Sequence, residues 1–322
     1  MSSEKAATVL QFFPNLMLGE FVCAIGVFDG LHEGHRYIID ETVSQAKRLQ
    51  LPAIAITFDK DPDELFLPSL AQRKLLTNED RIDLLAKSGV DMVLVIPFDL
   101  DLSLREPRDF LETVIAAHGA MRGIHVGSDF HFGHNASGTV ENVRLWAADR
   151  NCEVFSHELL TDEGSSVTST RIRNALEAGE LALANKLLSR PHYLWATVTK
   201  GRSVGKELGF PTANLELKER LVCPADGVYA CAVAIDGRVH KAATSVGVPA
   251  TFADTSSTIE THILDFDGDL YGHTLQIFFL EYLRKMISFN SVDELKRAVF
   301  QNIEQARACV IPKDLLWYLK NQ

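Results

Sequence analysis

The sequence predicts an α/β protein in two parts: a mainly parallel sheet covered by helices, followed by a small antiparallel β-barrel that ends on a helix. Three observations carry that expectation. The first half alternates short β-rich runs with amphipathic stretches. From about residue 189 the pattern changes to β-rich runs punctuated by Gly, Pro and Asp, and the tail returns to helical periodicity.

In the first half the strand-like segments are Phe21–Val27, Ala53–Phe58, Met92–Ile96, Gly123–Val126 and Glu153–Phe155. Between them, Ile38, Ile39, Thr42, Val43, Ala46 and Leu49 mark one face of a helix, and Arg81–Lys87, Pro107–His118 and Val140–Asp149 carry the same period. Repeated strand, helix, strand spacing implies parallel pairing with helices on both faces. Short helices at Thr170–Ala178 and Leu181–Leu188 close this half. Ser189 to Tyr193 reads as the linker, because Pro191 cannot continue a helix, so the expected domains are 1–188 and 189–322.

The second half holds β-rich runs starting at Tyr193, Gly227, Lys241, Ser257 and Thr274, with short turns between them. Ser291 and Glu294 form a capping box that opens a helix whose Leu295, Val299, Ile303 and Ala306 share a face, and Pro312 stops it.

Composition narrows the function classes. A chain of 322 residues accommodates two cores. Its longest apolar runs, such as "FVCAI", are far too short to span a bilayer, and the N-terminus has Glu4 where a secretion signal is basic, so a cytoplasmic protein with no membrane segment is expected. Five scattered cysteines without a CxxC pair argue against disulfides and a cysteine zinc site. The net charge of -11 repels polyanions, so no nucleic-acid partner is expected and any phosphate site must be built locally.

In "GVFDGLHEGH", Gly26 to His35, a strand ends near Phe28, Asp29-Gly30 turns the chain, and a helix begins around Glu33 to His35. His32 and His35 then stand at the carboxyl edge of a parallel strand beside free helix amides, where α/β sheets bind anions. Gly34 keeps a Cβ out of the space beside a phosphate. A zinc site, which needs further ligands, and a plain pair of surface histidines also fit the spacing.

Three other stretches carry chemistry. In "SSVTSTRIRNAL", Thr168 or Ser169 can cap a helix with Arg171 and Arg173 in its first turn, an unfavourable place without a bound anion; an ordinary surface helix fits too. In "HVGSDFHFGHNASG", Asp129, Phe130 and Phe132 offer a carboxylate and an aromatic wall at a strand end, or a satellite apolar cluster. In "GRSVGKELGFPTANL" the glycines at 201 and 205 are too close for a P-loop and Lys206 is followed by Glu207. There an extended segment after Pro211 puts Thr212 and Asn214 on one face, offering oxygens to a hard cation, although a simple turn into a strand has the same residues. Glu260 lies in an alternating strand, as an inward base or as an exposed edge residue.

"GVFDGLHEGH" resembles the HxGH signature of the nucleotidyltransferase superfamily, which implies a Rossmann-like first domain. Ser169-Thr170-Arg171-Ile172-Arg173 resembles the second phosphate signature of that superfamily, with Arg173 as pyrophosphate ligand. The Asp129 loop is similar to the flavin-facing loop of bacterial FAD synthetases, and Gly-Phe-Pro-Thr-Ala-Asn resembles the defining motif of riboflavin kinase. Motif order over residues from about 20 to 320 thus resembles the prokaryotic bifunctional riboflavin kinase/FAD synthetase family.

The resemblance implies riboflavin, FMN and FAD as ligands, ATP as a substrate in both domains, and Mg2+. His32, His35 and Arg173 would neutralise charge during adenylyl transfer, with Gly26, Phe28, Asp29, Gly34, Asp129, Phe130, Phe132, Ser169 and Thr170 lining that site. Gly201, Gly205, Lys206 and Pro211 would hold the kinase ligands, Thr212 and Asn214 the cation, and Glu260 would be the base. An oligomer stays open. Three departures stand out: Asp59-Lys60-Asp61-Pro62 follows Phe58 where the family reads Phe-x-Pro-His-Pro, which points to weaker adenylylation; Pro249-Ala250-Thr251 replaces Arg-Pro-Thr; and Met286 replaces an acidic residue. Two rivals are a cytidylyltransferase with a decorative barrel and a flavin binder without turnover.

Overall fold

The computed structural model describes residues 7–12, 16–66, 72–201, 205, 208–217, 220–247 and 258–319. The chain divides into two compact units, Met1–Gln72 with Leu76–Ser169, and Arg73–Leu75 with Thr170–Gln322.

In the first unit β1 (Thr8–Gln11), β2 (Gly19–Ile25), β3 (Ala53–Phe58), β4 (Met92–Ile96), β5 (Gly119–Gly127) and β6 (Glu153–His157) pair in parallel in the order β1-β4-β3-β2-β5-β6. A hairpin of β7 (Thr161–Asp162) and β8 (Ser165–Ser166) follows. The helices are α1 (Glu33–Leu49), α2 (Pro62–Phe66), α3 (Asn78–Ala86), α4 (Leu100–Ser103), α5 (Pro107–Asp109) and α6 (Val140–Ala147). The inner strands are continuous apolar runs because both faces are covered: Val22, Cys23, Ala24, Ile54, Ala55, Val93 and Leu94 are all fully buried. From β2 the chain winds toward β3, and from β5 toward β6. A crevice therefore opens at the carboxyl ends of β2 and β5.

Several details differ from the sequence expectation. β2 stops at Ile25, two residues early, because Phe28 takes a left-handed φ of 59°. On α1 Leu49 is exposed, and Gln45 takes an inner place instead. Its Oε1 accepts from His125 Nε2 at 2.8 Å and its Nε2 donates to Glu153 at 2.8 Å, in space that a Cβ at Gly123 would fill. Residues 107–118 do not form one regular helix. A wider-turn stretch, Phe110–Ile115, lets Phe110, Leu111, Val114 and Ile115 all face the core, and a tight turn, Ala116–His118, follows. The edge strand β1 has no counterpart in the sequence reading.

Helices α7 (Ser169–Glu177) and α8 (Leu181–Leu188) precede a closed antiparallel barrel of β9 (His192–Thr199), β10 (Ala213–Leu217), β11 (Gly227–Ile235), β12 (Arg238–Gly247), β13 (Thr258–Ile263) and β14 (Thr274–Arg284). The expected linker at 189–193 is shorter: Ser189 turns at φ 53°, and His192 already begins β9, its N–H donating to Asn185 Oδ1 at 2.7 Å. Leu215, Ile259, Val246, Cys231, Ile277, Ala196 and Val198 fill the barrel. Outside it α9 (Val292–Ala308) packs Ile303 and Val299 against Phe210, Leu264 and Ala243. Ser291 caps α9 by accepting from Glu294 N at 3.2 Å, while the Glu294 carboxylate reaches back to Asn290 N.

Candidate active sites

The first site grows from the end of β2. Phe28 and Gly30 both have positive φ, so the chain folds into a tight turn, Asp29–Leu31, and delivers His32 as the N-cap of α1. His32 Nδ1 accepts from His35 N at 3.4 Å, which leaves the His32 ring flat against that of His35, with centroids 3.7 Å apart and planes 18° apart. Phe28 stands edge-on to His35 at 5.4 Å. Glycines make this stack possible. A Cβ at Gly34 would press on the His32 ring at 3.2 Å, and one at Gly26 would press on Phe28 at the same distance.

His32 is buried, and His35 has its Nδ1 sealed from solvent without a hydrogen-bond partner. Burial, then the neighbouring His32, then the Arg81 charge hold the His35 imidazole well below its ordinary range. His35 is therefore neutral at pH 7. Among the described residues no group of three or more His, Cys, Asp and Glu is placed to hold a metal ion, so the zinc arrangement lacks its remaining ligands.

Asp29 is buried, and its carbonyl accepts the Ser169 hydroxyl at 2.8 Å, which ties Ser169 to the histidine turn. Asp129 is exposed just beyond β5. Phe130 is half-buried and stacks on Phe132 at 5.2 Å; Phe132 belongs to the core, against Phe110.

Thr170 and Arg173 fall in the second unit. Thr170 is exposed, and Arg173 opens the second turn of α7 rather than lying in the first, because the helix starts at Ser169. Its Nε donates to Arg73 O at 2.9 Å.

One residue of the first unit was not singled out from sequence. Arg81, 2% exposed, donates through Nη1 to Val27 O at 2.8 Å and to Asp61 Oδ1 at 3.2 Å. Through Nη2 it reaches Phe58 O and Asn78 Oδ1. Asp61, the departure that suggested a lost histidine, is thus the ion-pair partner of a buried arginine. Periodicity marks an arginine as surface, and only the strand ends reveal its place.

The second site lies on the barrel. β10 and β13 pair so that Asn214 faces Glu260, with Thr199 and Ser245 continuing the same row on β9 and β12. Ile259, Thr261 and Ile263 are the buried alternates, so Glu260 projects from the outer face and not into the barrel as expected. It is half-buried there, and its Oε2 accepts the Thr212 hydroxyl at 3.4 Å. His262 Nδ1 donates to Pro211 O at 2.8 Å and holds the approach of that segment.

Backbone stacks closely on this row. A Cβ at Gly201 would lie 1.8 Å from Asn214 Nδ2, and one at Gly205 would meet Phe210 O at 2.6 Å and Thr212 Oγ1 at 3.2 Å. Lys206 and Pro249-Ala250-Thr251 lie outside the described residues. Met286 follows β14, beyond Arg284, whose Nε donates to Asn302 Oδ1 at 3.0 Å. A hydroxyl, a carboxamide and a carboxylate on one row form a hard-oxygen donor set, which fits Mg2+ and suits soft or thiophilic ions poorly.

Residues 17–171 match the FAD synthetase family and residues 188–310 the riboflavin kinase family. A bifunctional riboflavin kinase/FMN adenylyltransferase of Pseudomonas fluorescens is 34% identical over 90% of this chain and 93% of its own length. The protein of the same description from Listeria monocytogenes is 33% identical over 89% of this chain and 91% of its own, and that from Escherichia coli K12 is 31% identical with the same coverage. A crystal structure described as a macrolide-efflux protein from Streptococcus pneumoniae superposes with a TM-score of 0.82 at 29% identity, covering 94% of this chain and 99% of that one. Among the described residues no helix is long and apolar enough to cross a membrane.

Proposed function

This chain belongs to the bifunctional riboflavin kinase/FMN adenylyltransferase family, and from that premise we propose how its residues divide the chemistry. The protein phosphorylates riboflavin to FMN with ATP and adenylylates FMN to FAD. We assign adenylylation to residues 1–188 and the kinase to 189–322, in a cytoplasmic enzyme.

The kinase reading rests on one observation: the Glu260 carboxylate lies beside the Thr212 hydroxyl and directly across from Asn214. Glu260 takes the proton of the ribityl terminal hydroxyl as that oxygen attacks the γ-phosphorus of ATP, and ADP leaves. Thr212 and Asn214 hold Mg2+, which supplies charge neutralisation at the phosphates when bound. Gly201, Gly205, Lys206 and Pro211 frame the nucleotide and flavin.

In adenylylation the FMN phosphate is already ionised, so it attacks the α-phosphorus of ATP without a base and pyrophosphate leaves. His32 and His35 donate hydrogen bonds to the phosphate oxygens, and Arg173 takes the departing pyrophosphate. Gly26, Phe28, Asp29, Gly34, Ser169 and Thr170 shape the nucleotide side of this site; Asp129, Phe130 and Phe132 shape the flavin side. Asp61, in the place of the family's histidine, pairs with Arg81 and brings no imidazole to the nucleotide, so a weaker adenylylation step stays part of this reading.

Incubation with riboflavin, ATP and Mg2+ followed by flavin chromatography tests both assignments. FMN and FAD together are expected. FMN alone would remove the role given to the histidine pair, and turnover of CTP with no FAD would favour the cytidylyltransferase alternative.

A further inference from the structure

Resting on the adenylylation reading above, we propose that Arg81 is a positioning residue of FAD formation, fixing the β2–turn–α1 segment so that His32 and His35 reach the nucleotide phosphates in register. Three observations carry this. First, the guanidinium is one of the largest fully buried side chains of the chain. A buried cation is costly unless it is paired and hydrogen-bonded, so its retention needs a specific set of acceptors.

Second, those acceptors lie where the site is built. Val27 O is the last carbonyl before the left-handed Phe28 that starts the histidine turn, and Phe58 O ends β3 next door. Thr57 also donates to Val27 O, at 3.2 Å. One planar fork thus ties the carboxyl ends of two adjacent strands to each other, and through Asn78 and Asp61 to α3 and the loop after β3. A lysine has three rotating donors and cannot reproduce that fork.

Third, the segment held in this way is conformationally demanding. Phe28 at φ 59° and Leu31 at φ 39° are non-glycine residues in the left-handed region, and the stack of His32 on His35 depends on the turn between them. Arg81 touches neither histidine through a hydrogen bond. Its charge also disfavours protonation of His35, but its positioning role runs through Val27 and the turn, and the cost of losing it is misplacement of the imidazoles rather than loss of a phosphate ligand.

The test uses the full chain with Arg81→Lys and Arg81→Met, measuring FAD formation from FMN and FMN formation from riboflavin. For Arg81→Lys the kcat for FAD is expected to fall about 10–100-fold, with KM for ATP and FMN within about three-fold of the parent, because a displacement of an ångström costs turnover before it costs binding. The kinase reaction should keep its rate, and Arg81→Met should lose at least as much FAD formation as Arg81→Lys. If Arg81→Met does not fold, Arg81→Lys decides alone. The idea is overturned if Arg81→Lys forms FAD at a kcat within three-fold of the parent, or if kcat and the affinities for ATP and FMN collapse together, as local unfolding predicts. A parent enzyme that makes FMN but no FAD would instead strike the reaction assigned to this unit.

Discussion

Asn214 and Glu260 stand directly opposite one another on neighbouring antiparallel strands, and the hydroxyl of Thr212, two residues earlier, donates to the Glu260 carboxylate at 3.4 Å. The register of a single strand pair therefore gathers the proposed base and the proposed cation ligands on one face.

Replacing Glu260 by Gln keeps the size and the Thr212 interaction while removing the proton acceptor. FMN formation from riboflavin should fall about 10²–10⁴-fold, while FAD formation from added FMN stays at the parent rate. Parallel assays on the two flavins distinguish this from a global defect.

Gly201→Ala puts a methyl 1.8 Å from Asn214 Nδ2, so the carboxamide must move. Kinase kcat should drop about 10–100-fold. Adding Asn214→Ala to that variant should cost little more, because the first change has already displaced the group the second removes. Additive losses in the double variant would show that Gly201 acts elsewhere.

His32 has two roles that substitution can separate. His32→Ala should lose about 1 kcal/mol of stability with the helix cap, and FAD formation should fall about 10²–10³-fold with a phosphate donor gone. Asn is a good cap with no imidazole. His32→Asn should recover the melting temperature of the parent and leave FAD formation low; recovery of both would reduce His32 to a cap.

Acid should destabilise the barrel through His192. Its ring is fully buried, with Nε2 donating to Val222 O at 2.8 Å, and burial followed by the Arg190 charge pulls it down to about 3. An unfolded histidine titrates at about 6.5, so between those values the unfolded chain holds a proton that the folded one lacks. Stability is full above that window and declines as pH falls through it. Urea midpoints from pH 7 to pH 4 should show the decline, and His192→Gln should flatten it.

Some of this was legible in the sequence for identifiable reasons. The ends of β3 and β4 follow from the sequence because both are short apolar runs bounded by proline or aspartate, Pro52 and Asp59 for β3 and Asp91 and Pro97 for β4, and α8 follows because Pro191 and the apolar period bracket it. The spacing of His32 and His35 brings both to one helix start, where the rings stack, although a pair of surface histidines fits the same spacing. β1 is not legible in the sequence because Thr8–Gln11 is a short edge with an exposed pattern, and a regular helix over 107–118 cannot bury the two adjacent pairs Phe110-Leu111 and Val114-Ile115 together. Gln45 and Arg81 are polar, so periodicity assigns them to solvent; Gln45 finds its partners on β5 and β6, and Arg81 most of its own at and just beyond the ends of β2 and β3. The outward direction of Glu260 follows only from the barrel register.

Closure of the barrel also decides where the protein is open to strand exchange. Each of its six strands has two neighbours, so that sheet presents no rim of unsatisfied amides for a second chain to zip onto. The parallel sheet does end in rims, and both are brief: four residues for β1 and five for β6. Among the described residues, and apart from the two-residue strands of the β7–β8 hairpin, templated self-association by strand addition has purchase at these two rims, and a change that lengthened either would raise the aggregation hazard.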